Sequence, residues 1–163
     1  MKKNLIKLTA LILVLCLSLC ACGAAEDQTI IVDGLTMTLP GNFQEMKDIA
    51  SENNQNFVYA TSTQVIMGLK EAKSIFESYG LDLTLADYAD LIVTGYELNT
   101  SVEYVGGIPT VIYTSDVSGT TFKYIAAMYE SNDAFWMVQC SCELDKFDRC
   151  YEDFITYLTS VKV

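Results

Sequence analysis

Residues 121–142 read Thr121-Phe122-Lys123-Tyr124-Ile125-Ala126-Ala127-Met128-Tyr129-Glu130-Ser131-Asn132-Asp133-Ala134-Phe135-Trp136-Met137-Val138-Gln139-Cys140-Ser141-Cys142. Aromatic and apolar residues lie on both sides of Ser131-Asn132-Asp133, a polar triplet with turn chemistry. The stretch therefore predicts two strands, 121–130 and 135–142, joined by a tight turn. Successive side chains of a strand point to opposite faces. Trp136, Val138, Cys140 and Cys142 then share one face, and Phe135, Met137 and Gln139 the other. Phe122, Tyr124, Ala126 and Met128 separate from Ile125, Ala127 and Tyr129 in the same way. A sheet with one wet face would alternate apolar with polar. Two apolar faces predict a central sheet covered on both sides.

Upstream, strands at 101–105 and 110–114, with turns at Gly106-Gly107 and Val117-Ser118-Gly119, extend this pair into an antiparallel meander. Near the start, Thr29-Ile30-Ile31-Val32 and Leu35-Thr36-Met37-Thr38-Leu39 flank Asp33-Gly34, a strong hairpin signal. A brief strand at 43–46, a polar loop at 51–56 and strands at 57–61 and 65–70 follow. Residues 71–79 predict a short helix ended by Gly80. Thr84 and Asp87 have the spacing of a capping box, which opens a second helix. Its apolar face is Leu85, Tyr88, Ala89, Ile92 and Tyr96; Asp87, Asp90, Thr94 and Glu97 lie opposite. Asp145 predicts the cap of a closing helix with Phe147, Cys150, Tyr151, Phe154, Tyr157, Leu158 and Val161 on one face. Strands, helices, a meander and a final helix make an α+β domain, an antiparallel β-sheet layered between helices.

The N-terminus carries an address. Met1-Lys2-Lys3-Asn4-Leu5-Ile6-Lys7 is basic, residues 8–21 are uncharged and apolar, and Cys22-Gly23 follows. This is the tripartite secretory pattern. The apolar run of 14 residues falls short of the roughly 20 that a spanning helix needs. Leu19-Cys20-Ala21-Cys22 resembles a bacterial lipobox, with small Ala21 before the lipid-accepting Cys22; Leu19 before Cys20 is too bulky for that subsite. The competing readings are an ordinary signal cleavage near Ala24 or Ala25, or an uncleaved helix. The expected division is a lipoprotein signal at 1–21, a lipid-anchored linker at 22–28 and one globular domain at 29–163. A diacylglycerol on Cys22 would place the chain on the outer face of a bacterial cell membrane, since two acyl chains hold stably where one does not.

After cleavage, seven basic residues face 21 acidic ones, a net charge of −14. Such a surface repels phosphates, which argues against nucleic acid as a partner. It also repels anionic headgroups, so the lipid must tether without help from a basic patch. A basic protein or a cation remains compatible.

The arrangement resembles the PsbP-like fold, and in particular lipoproteins of Gram-positive bacteria that share it. The likeness is carried by Asp33-Gly34-Leu35-Thr36-Met37-Thr38-Leu39-Pro40, by Leu83-Thr84-Leu85-Ala86-Asp87-Tyr88-Ala89, and by residues 134–142 with the closing helix and Ser160-Val161. The resemblance implies a non-enzymatic role, because plant members of this fold assist photosynthetic oxygen evolution as accessory subunits. No binding residue carries over from them.

Catalytic candidates are few. The chain has no histidine, which removes Ser-His-Asp and Cys-His catalysis and histidine metal ligation. Cys140, Cys142 and Cys150 admit three readings: a Cys142–Cys150 disulfide, free thiols packed as small hydrophobes, or a soft-metal or redox site. A Cys140–Cys142 bridge is disfavoured, because Cα atoms two apart on a strand are about 6.6–7 Å apart, at the limit of disulfide geometry. Asp82, Asp87 and Asp90 lack the spacing and turn glycine of a calcium loop and read as a solvated helix face. Tyr59, Tyr104, Tyr113 and Tyr124 read as core and strand residues, with a ligand groove as the alternative. The expectation is a tethered, non-catalytic binding or assembly domain for an envelope protein or small ligand, with no cofactor and no metal. The alternative is an enzyme or a metal or redox accessory using carboxylates or the three thiols.

Overall fold

The computed structural model describes residues 26–163, so Cys22 and the signal segment lie outside the described residues. The first hairpin is β1 (Asp27–Val32) paired with β2 (Leu35–Pro40). Its turn has positive φ at both Asp33 (48°) and Gly34 (94°), the geometry that matches the twist of the flanking strands. A seven-stranded antiparallel sheet follows, from β3 (Gln44–Glu45), β4 (Phe57–Ala60), β5 (Val65–Ala72), β6 (Glu103–Val105), β7 (Ile108–Val117), β8 (Thr120–Glu130) and β9 (Ala134–Glu143). Their order is β3-β4-β5-β9-β8-β7-β6. The strand of 134–143 thus runs through the middle, paired with β5 on one side and β8 on the other.

Both faces of that strand are buried, as its sequence requires. Trp136, Val138, Cys140 and Cys142 pack with Ile125, Ala127 and Tyr129 beneath the hairpin and α4 (Phe147–Thr159). Phe135 and Met137 pack with Ala126, Met128 and Val111 beneath α3 (Leu85–Gly95) and Phe76 of α2 (Lys73–Ser78). Each large side chain moved fully out of water contributes about 1.5–3 kcal/mol. The C-terminus closes the first layer: Thr36 exchanges backbone hydrogen bonds with Lys162, and the Thr38 N–H donates to the Ser160 hydroxyl at 3.0 Å.

Three boundaries depart from the sequence reading. The region expected to be a loop from residue 51 begins inside α1 (Lys47–Glu52), held by Ala50 against Val58 and Met67. Six residues are too few to show a helical period. Glu71 and Ala72, expected to open a helix, instead extend β5 by pairing with Phe135 and Ala134. Asp145 caps nothing: it lies in a 3-10 turn (Leu144–Lys146), and α4 starts after Lys146 without a side-chain cap. The face of α4 holds for Phe147, Cys150, Phe154, Tyr157 and Leu158, all buried; Tyr151 is half-buried, and Val161 lies beyond the helix, which ends at Thr159.

The capping box at Thr84 is formed. The Thr84 hydroxyl accepts from the Asp87 N–H at 3.2 Å, and the Asp87 carboxylate accepts from the Thr84 N–H at 2.9 Å. Thr84→Ala is expected to cost about 1 kcal/mol, lowering the melting temperature by roughly 2–4 °C in a domain this size. These bonds, first from the Thr84 hydroxyl and then its N–H, hold the Asp87 carboxyl below its usual range. A depressed carboxyl stabilises the fold above its unfolded pKa and loses that contribution as pH falls through the folded one. The deficit of Thr84→Ala should therefore shrink in acid; calorimetry at pH 7 and pH 3 checks this.

Candidate functional site

The three thiols lie in the layer between sheet and α4, where they are buried and free. Cys142 on β9 and Cys150 in the first turn of α4 are brought into the same buried cluster, near enough to act on each other. Cys140 is fully enclosed two residues back along the strand, close enough to Tyr129 and Tyr157 to raise both phenols further. Burial, reinforced by Cys150, pushes the Cys142 thiol up to about 12, with Lys146 opposing; burial also raises Cys140. The thiolate is the nucleophile and the metal ligand, so neither sulfur is poised for those roles at neutral pH. Among the described residues, no group of three His, Cys, Asp or Glu side chains is placed to hold a metal ion.

The tyrosines do not form one groove. Tyr113 and Tyr124 stack with ring centroids 4.9 Å apart, and the Tyr113 hydroxyl donates to the Gln139 side chain. Tyr59 packs on the opposite side of the sheet beside Phe57, and Tyr104 is exposed on β6. A tyrosine the sequence treated only as core has a more specific place. Tyr88 stacks on Phe135 at 4.6 Å and donates its hydroxyl to the Glu71 carboxylate at 2.7 Å. Desolvation, then the Glu71 charge, drives the Tyr88 phenol far above its ordinary range, so it stays a donor. This pair satisfies a buried polar atom and locks α3 to the end of β5. Asp82 and Asp90 are exposed, and Asp87 is spent on its own helix. These are structural roles.

The feature left over is a surface. On α2, Phe76 points inward against Tyr88 and Phe135 at 5.9 and 6.0 Å, while Ile75 and Tyr79 are 52% and 76% exposed. The helix ends in a Schellman motif: Gly80 at φ 76° donates to Glu77, and the Leu81 N–H reaches back to the Phe76 carbonyl at 3.1 Å. That turn brings Leu81, 43% exposed, back toward the end of the helix at Phe76. Ile75 and Tyr79, four residues apart, share one exposed side at the end of α2, and exposed Leu81 follows directly after the turn; Glu77 and Asp82, both exposed, are their neighbours along the chain. Neither acid has an ion pair among the described residues. Sequence reasoning missed this surface, because adjacent Ile75 and Phe76 in so short a helix do not say which of them faces the sheet.

The start of α2 lies toward the turn of the first hairpin, away from the start of β1. Asp27 pairs with Pro40 at one end of the hairpin. At the other end, the Asp33 carbonyl accepts from Lys70 Nζ at 3.2 Å. Lys70 pairs with Asp133 at 3.5 Å, and the Asp133 carbonyl accepts the first N–H of α2. The hairpin separates the two ends by roughly 17 Å at about 3.4 Å per residue.

No protein-family model and no curated protein matches the sequence. Among solved structures, the chain is similar to the cyanobacterial PsbP protein (CyanoP) of Synechocystis sp. PCC 6803. That likeness has a TM-score of 0.59 and 14% identity, and covers 90% of this chain and 97% of that one. It is also similar to a protein of Bacteroides thetaiotaomicron VPI-5482, with a TM-score of 0.53 and 8% identity over 79% of this chain and 44% of that one. The fold is PsbP-like. At these identities the likeness shows architecture alone, and function must rest on the site.

Proposed function

We propose that the protein is a membrane-tethered, extracytoplasmic, non-catalytic docking domain. A diacylglycerol on Cys22 holds it to the membrane, and the Ile75–Tyr79–Leu81 patch engages another envelope protein. The observation that carries the docking role is the patch itself, apolar and exposed on an otherwise strongly acidic chain. Its position favours the same reading. Cys22 lies five residues before β1, a reach of at most about 18 Å, while α2 lies at the other end of the hairpin. The tether would hold one end near the membrane and present the other. Unpaired Glu77 and Asp82 at the rim, within a net charge of −14, favour a partner whose apolar anchors are bordered by Lys or Arg.

The test is capture from the native envelope by the lipidated protein and by its Ile75→Asp/Tyr79→Asp variant. Both side chains are exposed, so the variant should keep its melting temperature and membrane fraction. A buried interface tyrosine is commonly worth about 2 kcal/mol, so partner recovery should fall by roughly 30-fold or more. Equal recovery by the variant, or no partner specific to the wild type, would reject the docking role.

A further inference from the structure

We propose that Cys142 and Cys150 are a disulfide-forming pair that fastens the start of α4 to the central strand, and that Cys140 stays a thiol. Both side chains lie in the one buried cluster between the central strand and α4, near enough to act on each other. They come from different elements, so the bond would close the chain through the 3-10 turn (Leu144–Lys146) and fix the direction in which α4 leaves the sheet. Helix α4 supplies much of the cover over that layer, through Phe147, Phe154, Tyr157 and Leu158. Its first turn has no side-chain cap to hold it. A covalent tie at Cys150 would do so.

The chemistry selects the pair. Cys150 is 8% exposed, whereas Cys140 and Cys142 are wholly enclosed, so Cys150 is the most accessible of the three to an oxidant. The oxidant required is a disulfide-bearing molecule, either an exported thiol oxidase or a small disulfide. Deprotonated Cys150 attacks one of its sulfurs, forming a mixed disulfide and expelling the other sulfur as a thiolate. Cys142 then passes its proton to the thiolate expelled in the first step as it attacks the Cys150 sulfur, expelling the remaining oxidant sulfur. Two protein S–H bonds are replaced by one S–S bond, and the two electrons leave on the oxidant, now a dithiol or two thiols. Cys140 is excluded as the partner of Cys142 because both lie on one strand face, two residues apart. It is excluded as the first attacking sulfur because it is wholly enclosed. An exported location supplies the oxidising compartment, and to that extent the inference rests on the tethered reading.

The experiment is acid-quenched extraction of the full lipoprotein from its membrane, alkylation of free thiols in denaturant, and intact mass before and after reduction. One alkylated thiol before reduction and three after is the expected result, with peptide mapping placing the single label on Cys140. The Cys150→Ala variant should show two free thiols and no bridge. Three free thiols in protein that carries the Cys22 lipid would overturn the disulfide and leave the tether standing. A bridge other than Cys142–Cys150 would also overturn it. A bridged protein without lipid would support the pair while removing the tether.

Discussion

Gly68→Ala is expected to destabilise the domain by about 3 kcal/mol, the upper part of the range for overpacking a buried site. Gly68 pairs directly with Phe57 across β4 and β5, and the ring occupies the space a side chain would need. A Cβ built on Gly68 would fall inside the van der Waals envelope of ring atoms Cε1, Cζ and Cδ1 of Phe57. The ring has little room to move. Phe57 is 1% exposed and held by Trp136 at 6.5 Å and Tyr59 at 6.2 Å between ring centroids. Stabilities of single domains run about 5–15 kcal/mol, so the loss would be a large share, read as a fall in melting temperature of roughly 10 °C. The interaction is pairwise, which gives a sharper check. In a Phe57→Leu background the same Gly68→Ala change should cost markedly less, because the clashing ring atoms are gone. Strictly additive effects in that cycle would show that the ring and the glycine do not meet as described.

Cys22→Ser should abolish lipidation and remove the mature protein from the membrane fraction. The wild-type species is expected to begin at Cys22 and to carry a diacylglycerol mass on that residue. Without the sulfur, no thioether can form and processing at that site stops. What remains is an uncleaved precursor 21 residues longer or a lipid-free, released product. The effect is near all-or-none, because the acidic domain has no basic surface to keep it near anionic lipid. Among the described residues, no helix is long and apolar enough to cross a membrane. Membrane retention of Cys22→Ser at the wild-type size would remove the lipid anchor from consideration.

The layers of the fold were readable from residues 121–142 because a strand apolar on both faces admits one solution, a covered central position. The assignment of Trp136 and Phe135 to opposite cores follows from the pleat alone. The Thr84–Asp87 cap was readable for the same reason, since its hydrogen bonds join residues three apart. Helix α1 was not readable, because its order comes from Ala50 meeting Val58 and Met67, contacts between distant positions. Nor was the end of β5, where pairing with β9 overrides the helical look of Glu71. Asp145 shows the limit of a cap signal: the residue type was suitable, but the chain leaves β9 through a tight turn that places Lys146 at the cap. In the candidate site, the Cys142–Cys150 contact was foreseeable from strand followed by helix. The apolar patch on α2 needed the third dimension, because only the structure shows that Phe76 takes the inward place and leaves Ile75 and Tyr79 outside.

A photo-crosslinking residue placed at position 79, and in a second strain at position 144, tests the tethered docking role in growing cells. Leu144 is the control because it is exposed and apolar, yet lies beyond the other end of β9 from the turn that meets α2. A docking domain presented away from its anchor should give one discrete crosslinked protein from position 79 and none of it from position 144. No adduct at position 79, or the same adduct from both positions, would contradict it.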